Sequence, residues 1–499
     1  MKTKWAMLFA VLVLLALSAA AILMIPRDKD QNVTPLSWAT DPNPQRDPQI
    51  EAFNRLNPDC FLTIDPNTNN ITKVLTQCAA QMGPDLIDAI GEMNIQTYVD
   101  AGILMDVTEP AIKMGFGPDT LPPSVRPLVM VKVLTKDGKM VDRQFVYPCN
   151  VYHTYIFYNK NIFDKLKVPY PSKDMTWDEY IALAKRLTTY SDKQEELPEI
   201  FGGAGASLNS IIFGKGGEFF NEAGTVATVD SKQFVDAFVF MHQLFFKQKV
   251  EPSPLQRTGV TSQGGHGAGF INWFGEGKVA MVWGDRWYLI NFRRFMAEQR
   301  EIREKWLKKH PNAKPEEGPQ VLRFGCVLVP RFQNAPRYTD FGARSTGIND
   351  QSRYRDKALK FLQFLAGPEY SATVNTGSDS KPGNMKYVSV DQFISKEFPG
   401  EEEAHRVSIE SIPYGRIARR SPFINNFVVQ RIISQVSSKM VSEPNLTRDE
   451  IELWLQEAAD KINLTIARNI KRDKRLQRIY EELLREGAPP IKYNLKEID

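Results

Sequence analysis

Residues 35–102 read PLSWATDPNPQRDPQIEAFNRLNPDCFLTIDPNTNNITKVLTQCAAQMGPDLIDAIGEMNIQTYVDAG. Pro35–Thr40 has the makings of a short strand, and a Pro/Asn/Asp loop follows it to Pro48. Gln49–Leu56 is helical in spacing, with Ile50 and Phe53 on one face and Asn57-Pro58 as the stop. Phe61–Ile64 is a second strand. Ile71, Val74, Leu75 and Cys78 then mark one face of a helix at spacings of 3, 4 and 7. Asp85–Ile90 is a third strand and Ile95–Gly102 a third helix. Strand and helix alternate three times, which predicts a parallel sheet with helices packed on its faces. Ligands of such sheets bind beyond the carboxyl ends of the strands. Those ends carry Asp41, Asp65 and Gly91-Glu92.

The whole chain has 499 residues, of which 42% are hydrophobic, 24% charged and 11% aromatic, a balance that excludes a disordered or collagen-like protein. The length accommodates roughly two to four domains. Lys and Arg number 63 against 59 Asp and Glu, so the net charge of +4 lends no support to nucleic-acid binding. Four Cys and five His leave little material for a structural metal site, and none is expected.

Lys2 and Lys4 precede an apolar run from Trp5 to Ile25 that ends at Pro26. Two readings stand. Trp5–Leu17 suits the core of a signal peptide, with Ala19-Ala20-Ala21 as the cleavage site. Ile22–Ile25 instead extends the run to about the 20 residues that span a bilayer, as an uncleaved anchor needs. No Cys follows the run, which argues against a lipid-modified anchor. Either way, residues beyond about 30 are expected to work outside the cytoplasmic membrane. There the cysteines can oxidise; Cys60 with Cys78 and Cys149 with Cys326 is the preferred pairing, beside four buried free thiols.

Further along, Phe145–Asn159 suits one long strand crossing between two bodies. Thr176 and Glu179 form a capping box at the head of a helix that runs to Leu187. Gly202–Ser207 and Thr258–Gly269 are glycine-rich loops, and Ser231–Lys247 is an aromatic-rich helix. Phe292–Gly318 is a charged helix and polar loop. Phe324–Pro330 is a strand, Arg353–Leu365 an amphipathic helix, and Thr447–Tyr480 is helical and increasingly basic. Specific catalytic signatures are missing: the chain contains no His-Glu-x-x-His, Cys-x-x-Cys or Gly-x-Ser-x-Gly. Gly275-Glu276-Gly277-Lys278 lacks the spacing and hydroxyl of a phosphate loop. Gly265–Gly269 follows no strand that would make it a dinucleotide loop.

Several segments in order resemble one family, the extracellular solute-binding proteins of ABC importers, in the maltose-binding-protein-like group. Met82–Ile87 with Ala101–Leu104 is one. Tyr147-Pro148, Phe157–Lys160, Phe163 and Thr176–Glu179 form another. Phe274–Met281 with Gly284–Trp287 is a third, and Gly325–Pro330, Gly347–Asn349, Ala358–Leu365 and Lys381-Pro382 complete the series. The resemblance runs over about 34–466. It implies an α/β, two-lobed periplasmic-binding-protein-like fold with discontinuous lobes and an interlobe cleft. One lobe is expected at 33–148 and 331–385 and the other at 149–330 and 386–467, after a signal peptide or anchor at 1–30 and before a basic helical extension at 468–499.

The same resemblance implies the ligand contacts. Trp287 matches an aromatic that faces the cleft, and Arg286 beside it donates to ligand hydroxyls or faces solvent. Asp41 follows the first strand as a ligand contact or a loop cap, and Glu92 matches an acidic sugar contact. Asn150 and His153 lie on the crossing strand, where a structural hydrogen bond is the commoner fate. Asn209 follows the first glycine-rich loop, Arg344 and Ser345 precede Gly347-Ile348, and Phe423 matches a C-terminal aromatic position. Trp38 and Trp283 are core tryptophans.

Two stretches depart from the compact family form, a charged insertion at Met296–Gly318 and the basic Arg468–Asp499. A solvated helix is the ordinary reading of the latter, and docking to anionic lipid or a partner the sharper one. The expected function is the exported, monomeric binding component of a carbohydrate ABC importer, without cofactor and without catalysis. Permease and ATPase subunits would be other chains. The alternatives are a binder of another solute, a receptor-coupled sensor, or a periplasmic enzyme that processes glycans with two carboxylates.

Overall fold

The computed structural model describes residues 33–498 apart from 66–69, 122, 136–139, 192–193, 254–255, 257–268 and 395. The N-terminal apolar run and nearly all of the Thr258–Gly269 loop therefore lie outside the described residues. No described helix is long and apolar enough to cross a membrane.

Strands β1 (Thr34–Ala39), β2 (Cys60–Asp65) and β3 (Leu86–Ile90) pair in parallel, with β1 in the middle. The helices between them are Arg46–Leu56 and Ile71–Ala79, and Gly91–Asp100 follows β3, four residues earlier than periodicity places it. A hairpin, β4 (Met130–Leu134) and β5 (Met140–Gln144), stands apart. The expected long crossing strand is divided: β6 (Val146–His153) belongs to the first sheet, Thr154 separates it from β7 (Tyr155–Asn159), and β7 belongs to a second sheet. That sheet also contains β8 (Thr189–Ser191), β9 (Gln194–Ala204), β10 (Val279–Gly284) and β11 (Phe324–Val327), in the order β11-β7-β10-β9-β8. The chain then returns to the first sheet as β12 (Phe341–Ile348) and β13 (Lys381–Pro382), giving β13-β6-β12-β3-β1-β2. Half of the first sheet is thus antiparallel, since β12 runs against both β3 and β6.

Each sheet has its own core. In the first lobe Trp38 meets the edge of Phe361 at 4.9 Å, and Phe361 meets Phe53 at 5.2 Å. In the second, Trp177 stacks on Trp283 at 5.5 Å with Tyr180 edge-on to both. Trp38 and Trp283 are core residues, as read from the sequence. The Thr176–Glu179 capping box forms at the head of the Trp177–Leu187 helix. Gly202 and Gly203 extend β9 rather than forming a loop. That helix lies so close that a Cβ at Gly202 would meet the Ala184 carbonyl oxygen at 1.9 Å, and one at Gly203 the Tyr180 hydroxyl at 2.1 Å. Glycine here serves close packing of helix on strand.

The charged insertion is the outer part of one helix, Tyr288–Lys309, and the loop with a 3-10 turn at Pro315–Glu317 that follows; the start of the helix buries Leu289 and Phe292. The C-terminal segment is not a free extension. The Arg448–Arg472 helix runs through its start, the Lys474–Arg485 helix packs against it, and Ile470, Ile479, Ile491 and Ile498 are buried in the second lobe. The four cysteines are buried and free, which overturns the preferred pairing. Cys149 belongs to the first core and Cys326 to the second. Cys149 Sγ lies 2.9 Å from Thr346 Oγ1. Cys60 Sγ lies 3.7 Å from Asp59 Oδ1, while Cys78 packs against Gly83.

Candidate functional site

β1 has β2 on one side and β3 on the other, so the carboxyl end of β1 is the switch point of the parallel half-sheet, where a ligand crevice is expected. Thr40 and Asp41 stand there. Asp41 is half-buried and accepts from Arg46 Nε at 2.9 Å. Arg46 also donates from Nη1 to Gln49 Oε1 at 2.6 Å and to Asp379 Oδ2 at 2.7 Å. Arg344 enters from β12: Nη1 donates to Asp88 Oδ2 at 2.6 Å and Thr40 Oγ1 at 3.1 Å, and Nη2 to the Tyr370 hydroxyl at 3.3 Å. Both guanidiniums lie within 6 Å of the Trp38 ring. Burial raises the Asp379 carboxyl, but Arg46 and Arg344 outweigh it and hold it well below the usual carboxylate range; the same pair lowers Asp41 against its burial. Arg344 is therefore committed to the protein's own carboxylates. Asn150, buried on β6, is the register partner of Arg344 and of Pro382.

The end of β10 meets the first lobe along a second network. Asp285 accepts from the His153 backbone N–H at 3.3 Å, from Lys381 Nζ at 3.4 Å and from the Ser380 hydroxyl. Arg286 is fully buried. Its Nη1 donates to the carbonyls of Ser380 at 2.7 Å and Val374 at 3.3 Å, its Nη2 to that of Asn375, and its ring neighbour Phe393 lies 4.0 Å away. Nε donates to His405 Nδ1 at 3.2 Å, an acceptor because burial and the charges of Arg286 and Arg293 lower that imidazole to about 3. Arg293 binds both oxygens of Glu401, at 2.7 and 2.8 Å, and donates to the Thr376 carbonyl at 3.0 Å. Two arginines of the second lobe thus cap the carboxyl end of the Pro368–Gly377 helix, where unpaired carbonyls attract cations.

These placements correct several expectations. Arg286 does not face solvent: it is fully buried, and its donors go to the Val374, Asn375 and Ser380 carbonyls and to His405. His153 is buried with its ring 4.5 Å from Phe341, and burial, then Lys381, keeps it neutral well below its ordinary value. Phe423 is a core residue, 1% exposed and edge-on to Tyr480 at 6.0 Å. Asn209 is exposed, the second residue of the Leu208–Gly214 helix; the Asp340 carboxyl on the return to β12 is raised by burial, with Ser207 and Asn209 pulling the other way. Trp287 remains partly exposed at the end of β10, edge-on to Tyr288 at 4.7 Å. Glu92 is the second residue of the Gly91–Asp100 helix, directly beyond β3.

Sequence reading passed over two side chains. Tyr152, on the crossing strand, is half-buried, and its ring fills the space over Gly342, where a Cβ would meet its hydroxyl at 2.3 Å. Burial, aided by Asp340 and Asp285, pushes that hydroxyl up to about 12. The crossing motif contained Tyr152, but only tertiary structure sets it beside the carboxylates at both lobe connections. Phe427 is 49% exposed at the head of the Asn426–Ser442 helix, which touches the Gly91–Asp100 helix of the first lobe. Its exposure carries no sequence signal.

A cavity of about 450 Å³ opens elsewhere in the second lobe, lined in part by Asn161, Lys165, Gln299 and Arg323, and contains none of these residues. Among the described residues, no group of three His, Cys, Asp or Glu side chains is placed to hold a metal.

Residues 40–372 match the family model of bacterial extracellular solute-binding proteins. The chain belongs to that family. No curated protein sequence matches it. Solved structures of similar fold include an ABC substrate-binding protein from Listeria monocytogenes in complex with cycloalternan. Its TM-score is 0.65 at 21% identity, with 87% of this chain and 99% of that one covered. A solute-binding protein from Thermotoga lettingae bound to α-D-tagatose gives 0.64 at 18% identity, over 87% and 100%. A maltose/maltodextrin-binding domain from Bdellovibrio bacteriovorus bound to maltotriose gives 0.62 at 14%, over 86% and 99%. The solute-binding family accounts for the two-lobed, discontinuous architecture, and its members are binding proteins.

Proposed function

We propose that this protein captures a mono- or oligosaccharide between its two lobes and delivers it to the permease of an ABC importer, outside the cytoplasmic membrane and without turnover. The observation that carries the reading is membership of the solute-binding family together with sugar-bound proteins among those of the same fold. The site supports it chemically. A sugar presents apolar C–H faces and a ring of hydroxyls, so its pocket combines an aromatic platform with carboxylate and hydroxyl groups. On this reading Trp287, Tyr152 and Asp41 supply these at strand ends in both lobes, with Glu92 the acidic contact that the sequence resemblance implies, whereas Arg344 and Arg286 are spent on the protein itself. An aromatic platform contributes about 0.5–1.5 kcal/mol beyond burial, and a charged hydrogen bond about 1.5–3 kcal/mol.

The lobes of this reading divide at Thr154, at the 328–340 connection and after Pro382, which moves the first expected boundary five residues on. Thermal unfolding against mono- and oligosaccharides, sugar phosphates, amino acids and peptides tests the function. A ligand at 100 times its Kd adds about 2.7 kcal/mol. One sugar class should raise the midpoint and be recovered intact. Silence toward every sugar beside a response to peptides would refute carbohydrate, and product accumulation would make the protein an enzyme.

A further inference from the structure

β9 and β10 run parallel in the second sheet, and their carboxyl ends face the first lobe: Asp285, just past β10, accepts from the His153 backbone N–H at 3.3 Å and from Lys381 Nζ at 3.4 Å. Ligands of parallel strands bind at such ends. β9 stops at Ala204, and Gly205 follows in the left-handed region at φ +89°. Gly205, Ala206 and Ser207 offer no ring there. One arrives from another element. Phe270 opens the Phe270–Gly275 helix, and its Cδ2 lies 3.7 Å from where a Gly205 Cβ would stand, beside Trp283 of β10. Its ring is edge-on to Trp273 at 6.2 Å, and the residue is only partly buried. Trp287, three residues past β10, is partly exposed as well. Both rings rest on the cluster of Phe274 and Phe292. Since β10 adjoins β7, where the chain crosses between lobes, Trp287 stands nearer the crossing and Phe270 one strand farther out.

Asn291 is four residues beyond Trp287, one turn on along the same face of the Tyr288–Lys309 helix. It is 4% exposed, and its Nδ2 has no hydrogen-bond partner among the described residues. Nearby amides are spent: Gln299 donates to the Gly275 carbonyl at 2.8 Å and Asn159 to that of Phe274 at 3.4 Å. A buried donor left without an acceptor is rare and destabilising. Beside a partly exposed tryptophan at a strand end, it completes the pairing of apolar platform and placed donor on which small-molecule sites are built.

We propose that Phe270, Trp287 and Asn291 form the second-lobe wall of the ligand site, in which the two rings carry neighbouring residues of an oligosaccharide and the Asn291 amide donates to a hydroxyl of the residue held on Trp287. The proposal rests on carbohydrate capture as the function, and it adds the chain length: at least two sugar residues. Neighbouring strands are about 4.8 Å apart, so rings at the ends of β10 and β9 meet successive residues of one ligand running outward from the lobe crossing. The sugar hydroxyl supplies the acceptor that the fold withholds from Asn291.

The test is calorimetric titration of the purified protein with glucose, galactose, mannose and xylose, each as the monosaccharide and as its di- and trisaccharide. In the series that binds, affinity should rise from one residue to two. Phe270→Leu, which keeps apolar bulk but loses the ring face, should weaken the di- and trisaccharide about fivefold and leave the monosaccharide unchanged, a length dependence that lost packing alone does not produce. Asn291→Leu should weaken every member of the series about fivefold, while its unliganded unfolding midpoint holds or rises, because the orphaned donor is gone. Asn291→Ala, which removes the amide without adding bulk, gives the same affinity reading where leucine is not accommodated. A monosaccharide bound as tightly as its trisaccharide, or Phe270→Leu binding the disaccharide like the parent, would overturn the proposal and leave carbohydrate capture standing. So would Asn291 variants that unfold earlier yet bind unchanged, which would make the amide structural. Silence of the folded parent toward all four series would remove both.

Discussion

Arg344 places a buried positive charge where Asp88, Asp379 and Asp41 lie within 2.6, 3.6 and 4.0 Å. Replacing it by Leu strands Asp88 without a counter-charge and leaves Asp41 and Asp379 to Arg46 alone, so Arg344→Leu should destabilise the protein by about 3–5 kcal/mol in urea unfolding. An unchanged midpoint would show that the network relaxes around the loss. The pH dependence follows from the same residues. Asp379 and Asp41 are depressed in the folded state, so their contribution is complete above the unfolded carboxylate value of about 3.9 and drains away as pH falls toward their folded values. The urea midpoint should fall below pH 4 in the parent and fall less in Asp379→Asn. At Trp287 the expected cost is in binding: Trp287→Ala should weaken a sugar ligand by about tenfold in calorimetry, with little change in folding because the side chain is only partly buried. Equal affinities would move the aromatic platform elsewhere.

At the scale of elements, the informative case is the C-terminal helix pair. Charge alone made Arg468–Asp499 read as a solvated appendage, yet from Leu476 onward an apolar residue recurs at least every fourth position, and Ile470, Ile479, Ile491 and Ile498 close the second core. Burying an aliphatic side chain is worth about 1.5–3 kcal/mol. Truncation after Arg472 removes three of these isoleucines, so it should lower stability by several kcal/mol on that scale, read as a fall in the unfolding midpoint. A truncated protein as stable as the parent would restore the appendage reading. The Tyr288–Lys309 helix shows the reverse: its start is anchored by Leu289 and Phe292, and most of the charged side chains beyond are exposed.

For the whole molecule, the free cysteines offer a direct check on how the lobes are sealed. All four thiols are buried, and burial pushes Cys149 up to about 12 and Cys326 well above its ordinary value. A thiol reagent should therefore modify none of them rapidly in the native protein and all four in denaturant. Oxidised, unreactive cysteines in denaturant would contradict the packing. Much of the fold was legible beforehand. The strand–helix alternation over residues 35–102, the Thr176–Glu179 cap and the core roles of Trp38 and Trp283 follow from periodicity and local hydrogen bonding, which are properties of neighbouring residues. The site was legible only as a set of residue types at strand ends. Whether Arg286 meets a solute or the carbonyls of the Pro368–Gly377 helix, and whether Phe423 or Phe427 is exposed, depends on partners about 90 and about 60 residues distant in sequence. Local sequence determines which segments become helices and strands. The packing of one lobe against the other decides which of their polar groups are consumed internally and which are left for a ligand, because a buried donor must find its acceptor wherever the folded chain brings one.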